Sequence, residues 1–180
     1  MNKVSRVIRW YQFYLEKISL KWYFILMLLG VISVVFLLRM HLTRKRKIIF
    51  GLAIEYCFLV LASTVFSRSR NMGYGYSLNP LGFMNKIYNG NIDDRYEVYM
   101  NILMLIPIGT LLAVIYKKVT CVMICLFFSL IIEILQLIFH RGSFEISDLI
   151  MNTMGGLFGC IIYSVWSFIL KIFYYTKQQK

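Results

Sequence analysis

Glu133, Gln136 and His140 recur three and four residues apart within an apolar run, and Asp148 and Asn152 repeat that spacing in the next one. At about 100° per residue, Ser129, Glu133, Gln136 and His140 fall in a stripe roughly 60° wide on a helix. Asp148, Asn152, Gly155 and Gly159 form a matching stripe. A carboxylate in such a stripe can act as a general acid or base, and amides can orient a polar ligand. Arg141, in the short turn between the runs, can hold a phosphate or carboxylate. Glu133, Arg141 and Asp148 are therefore the candidate catalytic groups, with Asn79, Asn101, Gln136, His140 and Asn152 as candidate ligand-binding groups. Two helices joined by so short a turn run antiparallel. Their stripes are expected to face each other, with Gly155 and Gly159 permitting close approach between these two helices.

The elements that must carry these groups are membrane spans. Of 180 residues 59% are hydrophobic, and the mean hydropathy is +0.68, a composition of spanning helices. The spacing predicts an all-α, polytopic bundle of five transmembrane helices: 22–38, 48–66, 98–116, 119–139 and 149–170. The organisation is then a basic amphipathic segment (1–21), two spans (22–66), a long polar loop (67–97), a three-span core (98–170) and a basic tail (171–180). The first strong apolar run begins near Trp22 with no small-residue cleavage site after it, so no cleaved signal is expected. A net charge of +12 suits residues that flank spans and meet anionic headgroups, so the bilayer is the expected partner and nucleic acid is not. The four cysteines lie in apolar runs without metal-ligand spacing and read as packing residues. No metal geometry is fixed by any motif and no cofactor is expected.

The third span opens near Asn101 on the membrane side where the fourth closes with Glu133, Gln136 and His140 and the fifth opens with Asp148 and Asn152. Pro107 is expected to kink that span, with Gly109 adding slack. Three helices thus bring polar groups to similar depth. Ionisable groups in spans face a bundle interior or a cavity; Arg141 is the expected partner of Glu133, with Asp148 and Glu145 competing for it, and the alternative is a Glu133 kept protonated by burial. Glu55, alone in the second span, is expected to pair with the basic 39–47 turn. Two readings stay open: a site that binds or transforms a ligand, and a polar lock that only holds helices together. A small transporter is less favoured because no internal repeat or broken-helix pair is visible. Lys and Arg divide evenly between the two sides; the side with the 39–47 turn, Lys117–Lys118 and the tail has short basic loops without acids, and is expected to be cytoplasmic.

At SLNPLGF (Ser77–Phe83), NILMLIPIG (Asn101–Gly109), SLIIEILQ (Ser129–Gln136) and R-x6-D-x3-N-x2-GG (Arg141–Gly156) the sequence resembles the VanZ-like family of small bacterial membrane proteins. The motifs occur in the family's order across about residues 77–160. Glu145 stands where the family often has Asp. The resemblance implies signature positions at Asn79, Pro80, Asn101, Pro107, Gly109, Glu133, Gln136, Arg141, Asp148, Asn152 and Gly155. It also implies a cell-membrane protein that lowers susceptibility to teicoplanin-type lipoglycopeptides, without bringing an established reaction. A lipid headgroup or a lipid-linked envelope precursor is the partner expected at the polar site.

Overall fold

The computed structural model describes residues 20–66, 68 and 75–178. The proposed amphipathic segment lies almost wholly outside the described residues, as does part of the loop. Six helices follow in order: α1 (Leu20–Arg39), α2 (Arg44–Leu61), α3 (Gly82–Tyr88), α4 (Ile92–Ala113), α5 (Lys118–Ile138) and α6 (Ile146–Gln178). A π-helical turn, Ala62–Phe66, continues α2, and two two-residue strands, β1 (Tyr76–Ser77) and β2 (Phe144–Glu145), pair in parallel. All helices but α3 are long and apolar enough to cross a membrane. Lipid-facing side chains account for their outer surfaces, with Phe24, Phe36, Phe127 and Phe173 all exposed. The chain is a multi-pass membrane protein.

The long polar loop expected over 67–97 is not what the described part of that stretch forms. Asn79 Oδ1 accepts from Leu81 N (3.0 Å) and Asn79 O from Gly82 N (3.2 Å), making the turn that Asn79-Pro80 announces. That turn launches α3. A capping box then starts α4 at Ile92, six residues before the expected Val98. Asn91 Oδ1 accepts from Asp93 N and Asp94 N, while Asp94 Oδ2 accepts from Asn91 N at 2.8 Å. Asp93 and Asp94 also oppose the positive end of the helix dipole. The helix continues through Pro107.

The core is built on α4, which runs parallel to α6 in the most extensive helix contact of the molecule. Here the expected facing of the glycines is corrected. A Cβ on Gly155 would strike the Ile102 carbonyl, and one on Gly159 the Ile106 carbonyl, so both glycines serve α4 rather than α5. Gly109 likewise meets the Gly156 backbone; it permits close approach rather than supplying slack. Thr110 Oγ1 donates to Gly159 O at 3.2 Å across this contact. Beneath it, Cys121, Cys125 and Cys160 are fully buried with Leu105 and Ile108. The Cys121 and Cys160 thiols point at Gly109 O from 3.8 and 3.7 Å, which fits the packing role expected of them. Glu55 is also placed differently from expectation. Its carboxylate lies against Gly30 of α1, in the space a side chain there would fill, midway along both helices.

Candidate functional site

On the membrane side where α4 and α6 begin and α5 ends, a cluster of charges is assembled from five segments. Lys86, on α3, is its centre. Its ammonium lies 2.9 Å from Glu145 Oε2 on β2, 3.1 Å from Glu97 Oε2 on α4 and 3.5 Å from Asp148 Oδ1 on α6. Arg68 Nη2, just beyond the π-helical turn, reaches Glu97 Oε1 at 3.3 Å. Ser147 Oγ donates toward Glu145 and Asp148, and Ser143 Oγ donates to Glu145 Oε1 at 3.1 Å. Burial alone would lower the Lys86 pKa. The Asp148, Glu97 and Glu145 carboxylates outweigh it and hold the ammonium above the ordinary lysine range.

Three short local devices position these groups. The β1–β2 pair, with Phe144 N donating to Gly75 O at 3.0 Å, ties the segment before α3 to the start of α6. Gly82 then brings α3 against Ser147, where a Cβ would sit 3.3 Å from Oγ. Because Glu145 lies on β2, its N–H is free to donate to Glu133 Oε2 on α5, at 3.0 Å. Third, the π-helical turn frees backbone carbonyls that an α-helix would close. Thr64 O accepts from Gln136 Nε2 at 3.2 Å, and Phe66 O from Arg141 Nη1 at 2.7 Å.

Several of the residues singled out in the sequence converge here. Asp148 is in direct contact with Lys86, and Glu133 joins through Glu145. One helical turn deeper, Asn152 Nδ2 donates to Ser129 Oγ at 2.9 Å, so the facing stripes of α5 and α6 do meet at this point. Asn101 neighbours Asp148 from α4. Glu133, Gln136, Asp148 and Asn152 are all buried. Others are placed elsewhere. Arg141 donates to the carbonyls of Phe66 and Arg68 and so clamps the end of α2, where pairing with Glu133 was expected. His140 leaves the α5 stripe because it occupies the left-handed region (φ 53°) in the helix's terminal motif. His140 N donates to Leu137 O and Arg141 N to Gln136 O, a Schellman closure that turns the imidazole outward. Asn79 is exposed and shapes the turn before α3.

Lys86 and Arg68, the cations that touch the acids, carried no sequence signal of their own. Both lie in the stretch read as loop, and only the early start of α4 and the short α3 bring them over the acids. Among the described residues no group of three or more His, Cys, Asp and Glu side chains is arranged to hold a metal ion. The arrangement gathers carboxylates, hydroxyls and two cations at one end of the bundle, the kinds of group that hold polar ligands and transfer protons in other sites.

Protein VanZ of Enterococcus faecium is 38% identical over 72 residues, covering 38% of this chain and 45% of that protein. The chain thus matches less than half the length of that relative. No solved structure matches. The sequence profile of the VanZ/LLP1 family extends over residues 24–169, wider than the 77–160 stretch that holds the four motifs and including all but the first residues of α1. Five spans, the clustered motif residues and a match over most of the length agree, and the chain belongs to the VanZ/LLP1 family.

Proposed function

We propose that this protein acts in the cell membrane to lower susceptibility to teicoplanin-type lipoglycopeptides. The Lys86-centred site would do so by binding or modifying a headgroup or a lipid-linked envelope component at the outer leaflet. The observation that carries this reading is a charge cluster that keeps an open edge at one membrane face. Side chains of Lys86, Glu97 and Glu145 keep 19%, 32% and 20% of their surface while Asp148 keeps 8%. A lock needs no open side; a binding site does. The bonds of Gln136 to Thr64, Arg141 to Phe66 and Asn152 to Ser129 favour the second reading, in which the polar groups only pin α2, α5 and α6 together.

Glu133→Gln and Asp148→Asn, expressed in a susceptible Gram-positive host, separate the two. Loss of the teicoplanin phenotype at normal membrane abundance supports a site. Loss of phenotype together with loss of protein supports the lock, and retention of both excludes a chemical role for the carboxylates. Orientation is tested by alkaline phosphatase inserted between Arg68 and Gly75. It is active if the site faces outward, and an inactive enzyme reverses the assignment.

A further inference from the structure

Glu55 is the middle residue of the Arg44–Phe66 span, roughly 16 Å from Arg44 and so near the centre of a hydrocarbon layer about 30 Å thick. A carboxyl group at that depth ordinarily turns to the bundle interior and finds a partner there. Glu55 instead shares one face of α2 with Ile48, Leu52 and Leu59, all within a stripe about 60° wide. Those three keep 55%, 54% and 53% of their surface. One flank of the stripe is bounded by α1. Gly51, a turn before Glu55, faces Val34 at 3.7 Å, and the Glu55 carboxyl fills the space over Gly30, with Oε1 2.8 Å from where a Cβ would stand. Glu55 is half-buried there and has no hydrogen bond or ion pair among the described residues. The cations of the 39–47 turn do not reach it. Lys47, the nearest along the helix, is more than two turns away, and its ammonium donates to Leu38 O at 2.6 Å.

We propose that this stripe is the docking surface for a transmembrane helix of a partner protein, one that brings a Lys or Arg to mid-depth to pair with Glu55. Steps of four, three and four residues from Ile48 to Leu59 are those of a helix-packing seam. Lipid tails are as apolar as the helices, so association inside a bilayer depends on packing and on polar pairs of this kind. Charge decides between the possible occupants. A second copy of this chain brings no cation, because every Lys and Arg of the described spans lies within two turns of a span end. Two copies joined by this face would set acid against acid, an arrangement that disfavours a complex. A phospholipid carries its charges in the headgroup, about 15 Å from the bilayer centre. A basic side chain on a partner helix meets the carboxyl at its own depth. The proposal does not rest on the function proposed for the Lys86 cluster, which is gathered beyond the end of α2 and not at its middle.

The test places the full chain, donor-labelled at its C-terminus, in phosphatidylcholine vesicles with acceptor-labelled synthetic helices. These are Leu-rich, matched in length to the Arg44–Phe66 span, and identical but for a central Lys, Gln, Glu or Leu. By energy transfer the Lys helix should associate about tenfold more tightly than the Leu helix. Glu55→Gln should lose most of that preference and Glu55→Leu all of it, while Glu55→Lys should move it to the Glu helix. If a variant does not fold, the selectivity of the wild-type chain among the four helices still decides. Equal association of all four overturns the proposal and is the result for a carboxyl that only faces lipid. A Gln or Glu helix that matches the Lys helix also overturns it, since Glu55 would then be a hydrogen-bonding group indifferent to charge. So does a Lys preference that persists in Glu55→Leu, which places the docking elsewhere. Energy transfer between two labelled copies of the chain that exceeds transfer to the Lys helix, and is lost in Glu55→Leu, assigns the face to self-association and overturns it as well.

Discussion

Replacing Lys86 with methionine keeps the length and apolar stem of the side chain and removes the charge shared by Glu97, Glu145 and Asp148. Removing one partner of a fully buried ion pair costs about 3–5 kcal/mol, and of an exposed pair about 0–1 kcal/mol. This cluster lies between those limits. Glu97 keeps Arg68 as a second cation, whereas Asp148 is nearly buried and loses its direct one. A loss of about 2–3 kcal/mol follows. At roughly 2–4 °C per kcal/mol for a chain of this size, the midpoint should fall by about 4–12 °C. Thermal unfolding of purified protein in one detergent, followed by tryptophan fluorescence, measures it. Lys86→Met with Asp148→Asn should then be more stable than the sum of the two single changes predicts, because the stranded carboxylate has become a neutral amide. Unchanged melting of Lys86→Met, or strict additivity in the double variant, would refute the idea that Lys86 is the counterion holding α3 over α6.

Two further outcomes follow from the same geometry. The folded-state pKa of Lys86 is raised above its unfolded value, so its stabilisation is fully present below the unfolded pKa and is lost only as pH rises through the folded one. Between pH 7 and 9 Lys86 therefore stays charged and the stability difference between wild type and Lys86→Met should not shrink, although it grows with pH where the carboxylate left without its cation takes up a proton in the variant; a difference that shrinks across that window contradicts the charge assignment. Gly155→Ala drives a Cβ into the Ile102 carbonyl and should cost more than about 2 kcal/mol, or prevent accumulation in the membrane, while Gly75→Ala, with open space around it, should stay within about 0.5 kcal/mol.

Helix number and type were readable because twenty-residue apolar runs have few alternatives in a bilayer. The polar groups of α5 and α6 were readable because 3.6-residue periodicity survives inside such runs. What periodicity cannot say is which of two neighbours a stripe faces. Asn152 turned to α5 while Gly155, less than one turn on, met α4. The described part of the 67–97 stretch departs from a loop because its elements are held by local hydrogen bonds, not by an apolar pattern. The Asn91–Asp94 capping box was present in the letters NIDD and marks the true start of α4. His140 shared its spacing with Glu133 only on the assumption that α5 continued, and Arg141 was expected on the turn beyond it, within reach of Glu133. The helix ends at Ile138, and a Schellman turn sends both side chains elsewhere.

At 33 residues, α6 extends about 50 Å, against a hydrocarbon thickness of about 30 Å. Its far end carries Ile172, Phe173, Tyr174 and Tyr175, all exposed and unshielded by any other described residue, with Lys171 and Lys177 flanking them. Upright in an average bilayer, that end would hold greasy rings in water. The helix therefore leans, or the surrounding lipid stretches to meet it. Since Asp148 stands on the first turn of this rod and Glu97 on its closest companion, any lean is felt where the charges converge. Lipid chain length thereby becomes a variable acting on the opposite end of the molecule.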